Sequence, residues 1–216
     1  DFYFNRGADG QLSPNDLTAL NISDYGIVHF GSATAFLPGP LQTTYTHLLA
    51  EAKSNNIIVS FDPNYRHLLF QNNSQSFIEQ CWPFIEQCHF FKLSEEEALL
   101  ITACNSVQDA AAALRKKTSA VFAITLGKEG TLFSLEDHLE IIGSINITPI
   151  DATGAGDAFV GAVLYQLISY DPSQLSKIDL AEWKKIIFNA NKAGARTCEY
   201  MGAMEAFKHL SKAIFE

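Results

Sequence analysis

Two carboxylates bracket a turn of small residues in the run Asp151-Ala152-Thr153-Gly154-Ala155-Gly156-Asp157, which leads into the apolar stretch from Ala158 to Ile168. A turn of this composition at the start of a helix is suited to hold a phosphate. Gly154, Ala155 and Gly156 carry almost no side chain, so an anion can approach the backbone, and the first amides of the helix lack intrahelical acceptors. Asp157 falls in the first turn, beside that anion. A carboxylate there repels a phosphate, so it is of little use as a binding group; as a general base toward an incoming hydroxyl it is well placed. The chemistry these residues suggest is phosphoryl transfer.

Other readings of the glycines fit less well. A dinucleotide fingerprint needs a third glycine where Phe159 stands and an acidic residue about 20 positions on. A P-loop needs Gly-Lys-Ser/Thr, and Gly127-Lys128-Glu129 lacks the hydroxyl. The remaining alternative is structural: Thr153 caps the helix while Asp157 complements its dipole.

The residues that carry this chemistry need a framework. Apolar, β-branched runs at Gly26 to Phe30, Ile57 to Phe61, His89 to Leu93 and Val121 to Leu126 predict buried strands. Helical patterns over Leu41 to Lys53, Ser76 to Glu86, Glu95 to Ala103 and Val107 to Lys117 separate them, which implies βαβ units, a parallel sheet and an α/β fold. Gly130 to Leu135 and Leu139 to Ile145 predict an antiparallel edge pair. Ala155 to Ile168 is apolar nearly all round and predicts a central buried helix, with Leu180 to Arg196 packed beside it. Polar loops follow the strands, beyond whose carboxyl ends open α/β sheets bind ligands.

With 216 residues, no repeats and no evident linker, a single domain over 1–216 is expected. A net charge of −9 argues against nucleic acid and against an anionic membrane surface as partners. No apolar run reaches the 18 residues that suggest a membrane span. Cys81, Cys88, Cys104 and Cys198 lack CxxC spacing and no secretory leader is read, so reduced thiols in a cytoplasmic protein are expected.

Taken in order, the segments FDPNYR, KLSEEE, TLGKEG, DATGAGDAF and ANKAGARTCEYMGA resemble the pfkB or ribokinase-like family of carbohydrate kinases, and HFGSATAFLPGP and FDPNYRHLLF resemble its fructokinase branch. The resemblance implies a ribokinase-like three-layer α/β/α sandwich with a mostly parallel central sheet. It implies ATP and a small sugar as substrates, Mg²⁺ as cofactor and K⁺ as a further cation. Asp157 would be the catalytic base, and the amides of Gly154, Ala155 and Gly156 the anion hole. Ser94 and Glu97 match the Asn-x-x-Glu element that governs Mg²⁺, with serine in place of asparagine; their spacing also fits a capping box. Thr125, Gly127, Gly130 and Asn191 would contact the nucleotide. Asp151 and Thr153 match a monovalent-cation loop, with Glu199 where many members carry Thr or Ser. Arg66 and Arg6 would face substrate or phosphate.

The family's first third, with a glycine-rich signature, a sugar-binding aspartate and most of the lid strands, has no counterpart here, and residues 1–12 read as a remnant of the lid. The resemblance implies transfer of the ATP γ-phosphate to a primary hydroxyl of a ketose, fructose first. A 2-keto-3-deoxygluconate kinase or ribokinase is the alternative within the class, and a catalytically silent nucleotide-binding fragment the alternative outside it. Members of the family often dimerise through the lid.

Overall fold

The computed structural model describes residues 7–70 and 73–215. The chain forms two compact units, one ending at Ala120 and the other beginning at Val121.

The first unit contains, in order, β1 (Ile27–Gly31), α1 (Pro40–Ser54), β2 (Ile58–Asp62), α2 (His67–Phe70), α3 (Ser74–Gln87), β3 (Phe90–Ser94), α4 (Glu95–Thr102) and α5 (Val107–Arg115). The three strands are parallel, with Ile27 opposite Ile58, Gly31 opposite Asp62, and Phe61 opposite Phe91. Every residue of β2 is buried, which is why its sequence runs apolar without alternation. Each strand ends one residue later than its apolar run predicts, so Asp62 and Ser94 finish β2 and β3. Short polar side chains start the helices. Asn73 accepts from the Ser76 amide at 3.3 Å before α3, and Ser106 from the Asp109 amide at 3.1 Å before α5. The core is a cluster of aromatic rings. Phe84 of α3 lies 5.1 Å from Phe30, 5.4 Å from Phe36 and 5.1 Å from Phe61, ring centre to ring centre.

The second unit contains β4 (Val121–Thr125), β5 (Thr131–Leu135), β6 (His138–Ile142), α6 (Ala155–Leu167), α7 (Pro172–Leu175) and α8 (Leu180–Thr197). The predicted edge pair is β5 with β6, and β4 also runs antiparallel to β5, because the short loop between them can only turn the chain back. α8 packs on α6, β5 and β6. Gly194 makes the close approach to α6: a Cβ there would stand 2.9 Å from the Ala155 carbonyl oxygen. Trp183, fully buried in α8, lies 6.2 Å from Phe133 of β5.

One expectation needs correction. α6 buries Phe159, Val160, Ala162, Val163 and Leu167 but exposes Asp157, Gly161 and Tyr165. α8 closes one face, whereas the opposite face is only partly covered, the Tyr165 ring stacking on Phe215 at 4.9 Å, and an all-apolar sequence does not say which side will stay open.

Phe84→Ala removes the ring shared by three neighbours and is expected to cost about 3–5 kcal/mol, read as a lower urea midpoint of unfolding.

Candidate active site

The turn before α6 is built as its composition predicts, with one change in who caps it. Gly154, with φ of 82°, occupies the N-cap position and offers no side chain, while Thr153 does not cap. Instead, the Thr153 amide and hydroxyl both donate to Asp151 Oδ1, at 2.9 and 2.7 Å, and Asp151 Oδ2 accepts from the Gly202 amide at 2.8 Å. These bonds hold the Asp151 carboxyl below the usual carboxylate range, the Thr153 hydroxyl contributing most. Glycine suits position 154 for two reasons: its φ is positive, and a Cβ there would lie 2.7 Å from the Cβ of Ala203.

The Ala155 amide donates to the Ala152 carbonyl at 3.2 Å, and the first helical bond runs from Ala158 to Gly154 at 2.9 Å. The amides of Gly154, Gly156 and Asp157 find no acceptor among the described residues, so of the three amides expected at the anion only that of Ala155 is engaged, and that of Asp157 adds a further open donor. They suit an anion. Asp157, exposed in this first turn, is in no ion pair with a described residue.

The residues expected at the nucleotide also gather in this unit. Thr125 is paired with Thr131 across β4 and β5. Thr131 Oγ1 donates to Asn191 Oδ1 at 2.6 Å, and Asn191 Nδ2 donates to the carbonyls of Ile142 and Gly143 at 2.9 and 3.2 Å. Gly130, at φ of 99°, lies against the same stretch: a Cβ would run into the Ile142 carbonyl oxygen and stand 2.8 Å from Gly143 Cα. Gly127 opens the short turn that Gly130 closes. Asn191 is thus a buried brace behind the loop, with both ends of its amide already engaged.

In the first unit, Ser94 and Glu97 form the capping box at the start of α4. The Ser94 amide donates to Glu97 Oε2 at 2.7 Å and the Glu97 amide to Ser94 Oγ at 3.2 Å. The other carboxylate oxygen, Oε1, accepts from the Tyr65 amide at 2.8 Å. Glu97 is only 5% exposed. With each oxygen already holding a backbone N–H, a direct bond to Mg²⁺ would have to share those lone pairs, whereas a hydrated ion leaves them undisturbed.

Behind this box lies a pair to which the sequence reading assigned no role. Lys92 of β3 reaches both oxygens of Asp62 at 3.2 Å, and both residues are buried. Asp62 is nonetheless pushed up to about 6, because burial outweighs the attraction of Lys92, and Glu97 adds repulsion. The available signal was two opposite charges at the ends of apolar strand runs, where a buried position forces a partner. Arg66, four residues beyond Asp62, is exposed and within ion-pair distance of no carboxylate among the described residues. Arg6 lies outside the described residues. Among the described residues, no group of three or more His, Cys, Asp or Glu side chains is arranged to hold a metal, and no helix is long and apolar enough to cross a membrane. All four cysteines are free thiols.

The model of the pfkB family of carbohydrate kinases matches residues 1–210. The chain belongs to that family. It is 32% identical over 204 residues to fructokinase-1 of Zea mays, covering 94% of this chain and 62% of the maize protein. The fructokinase of Vibrio cholerae O395, solved as a double mutant with fructose, ADP and potassium ion bound, superposes with a TM-score of 0.82 at 28% identity, over 96% of this chain and 64% of that one. Aminoimidazole riboside kinase of Salmonella enterica, solved with aminoimidazole riboside and an ATP analogue, gives 0.75 at 26% identity, over 84% and 59%. The chain therefore spans about three-fifths of the length of these proteins, and it has the ribokinase-like α/β fold expected from its sequence.

Two outcomes follow from the geometry. Between about pH 7 and about pH 5 the native state takes up a proton at Asp62 that the unfolded chain, with a carboxyl near 3.8, does not. Acidification therefore adds about 1 kcal/mol of stability through this group. Asp62→Asn should lack that gain, as read from urea midpoints at the two pH values. The difference between the two proteins cancels the opposite contribution of His89, whose pKa burial lowers. Gly154→Ala should cost about 2 kcal/mol by forcing a side chain into positive φ against Ala203, measured as a lower melting temperature.

Proposed function

We propose that the chain is the nucleotide- and phosphoryl-handling part of an ATP-dependent sugar kinase that phosphorylates a primary hydroxyl of a ketose, fructose first. The observation that carries this reading is an exposed carboxylate, Asp157, in the same helical turn as the acceptor-free amides of Gly156 and Asp157. A module that only bound nucleotide would have no need of a base beside its anion site.

In this reading Asp157 takes the proton of the sugar hydroxyl as that oxygen attacks the γ-phosphorus and the bond to the β-phosphate oxygen breaks, leaving ADP. The open amides at the start of α6, with the small residues Gly154 and Ala155 keeping side chains out of the way, stabilise charge on the transferring group. Mg²⁺, when bound, would neutralise charge on the phosphates, while both Glu97 oxygens stay on backbone amides. The loop Thr125 to Gly130, braced by Asn191, receives the nucleotide, and Arg66 contributes a cation toward substrate or phosphate. K⁺ near Asp151 and Thr153 would draw chiefly on backbone carbonyls, because the Asp151 carboxylate already accepts three bonds. The names of the similar proteins, fructokinases above all, support fructose as acceptor, and a cytoplasmic setting suits four reduced thiols.

The deciding experiment is ATP-dependent phosphorylation of fructose, ribose and 2-keto-3-deoxygluconate by the intact protein, beside Asp157→Asn. Turnover on fructose that falls at least about a hundredfold in the variant, with ATP affinity kept within a few fold, is the expected result. ATP binding without turnover on any sugar would leave a nucleotide-binding module instead.

A further inference from the structure

The loop that follows β2 is fixed at four consecutive residues and open at the fifth. The Asp62 carboxylate is held by Lys92, and its carbonyl accepts from the Ser32 amide at 3.1 Å. The Pro63 carbonyl accepts the Ser32 hydroxyl. Asn64 takes the left-handed conformation, with φ of 51°. The Tyr65 amide donates to Glu97, and its ring packs 4.8 Å from Phe77 and 6.1 Å from Phe70. Arg66 then stands exposed at the entrance to α2.

Glu97 is the one side chain here that grips two loops. One oxygen holds the amide of Ser94, where β3 passes into α4, and the other holds the amide of Tyr65, which immediately precedes Arg66. Both bonds are charge-assisted and nearly dry, so they are strong and directional.

We propose that Glu97 is a positioning residue: its carboxylate acts on the reaction through the Tyr65 amide, by setting the place of Arg66, and not as a ligand of the metal. The proposal rests on the reading of Arg66 as a substrate- or phosphate-binding cation. A charge-neutral substitution at Glu97 weakens one of two backbone bonds, lets the loop open more often and spreads Arg66 over several orientations.

The test compares Glu97→Gln, Arg66→Ala and the double variant in the intact protein, with Ser94→Ala, which cuts only the reciprocal capping bond, as control. Amide hydrogen exchange at Tyr65 is read independently of turnover, and melting curves confirm that each protein is folded. In Glu97→Gln, exchange at Tyr65 should quicken about tenfold and kcat fall about tenfold. The Mg²⁺ concentration for half-maximal rate should stay within about twofold, and the double variant should be no slower than Arg66→Ala alone. Ser94→Ala should leave Tyr65 exchange unchanged.

A Mg²⁺ requirement raised about tenfold with Tyr65 exchange unchanged would overturn the proposal in favour of metal ligation. So would losses that multiply in the double variant. Unchanged turnover in Arg66→Ala overturns the reading of Arg66 and with it the route through that residue, whereas impaired Arg66→Ala with normal exchange in Glu97→Gln overturns the clamp alone.

Discussion

Backbone N–H groups bound to carboxylates hold the working loops of this chain. Loops beyond strand ends cannot satisfy their amides within a ladder, and an amide shielded from water without an acceptor is costly. In the first unit Glu97 supplies acceptors for Ser94 and Tyr65; in the second, Asp151 does so for Thr153 and Gly202. Each carboxylate spans two segments, so each loop owes its shape to a residue of another. Removing one such acid frees two stretches of backbone at once.

This arrangement sorts the acids by what remains available to them. Glu97, Asp151 and Asp62 are engaged by donors from the protein itself. Asp157 is different. It faces solvent in the first turn of α6, with its oxygens in no ion pair. Its lone pairs are free in the resting protein, as the proposed role of proton acceptor requires. Asp62 shows the opposite extreme: buried beside Lys92, it is still raised toward pH 6, since the loss of water outweighs one cation.

Glycine does comparable service where backbones meet. At Gly154 and Gly130 the positive φ and the nearness of Ala203, Ile142 and Gly143 leave no room for a side chain. These contacts hold the anion turn and the loop after β4 against their neighbours.

Much of this was legible in the sequence. Helix and strand signals act over about four residues, so the apolar runs and the capping residues located all the main elements, most ends to within one or two positions. The small-residue turn before Asp157 could be read for the same reason, because its shape depends on residues in direct succession. The short helices α2 and α7 escaped notice, being a single turn each with no periodicity to detect. So did the exposed positions of α6, which depend on where its neighbours lie.

What tertiary structure alone decided are the pairings: Lys92 with Asp62, 30 residues apart; Glu97 with Tyr65, 32 apart; Gly202 with Asp151, 51 apart; and Thr131 with Asn191, 60 apart. Spacing suggested that Glu97 caps its own helix, and it does, but nothing in the order of residues announces its second partner. Strand register and helix packing bring such groups to between 2.6 and 3.2 Å, and those are properties of the folded chain as a whole, which local sequence constrains only in sum.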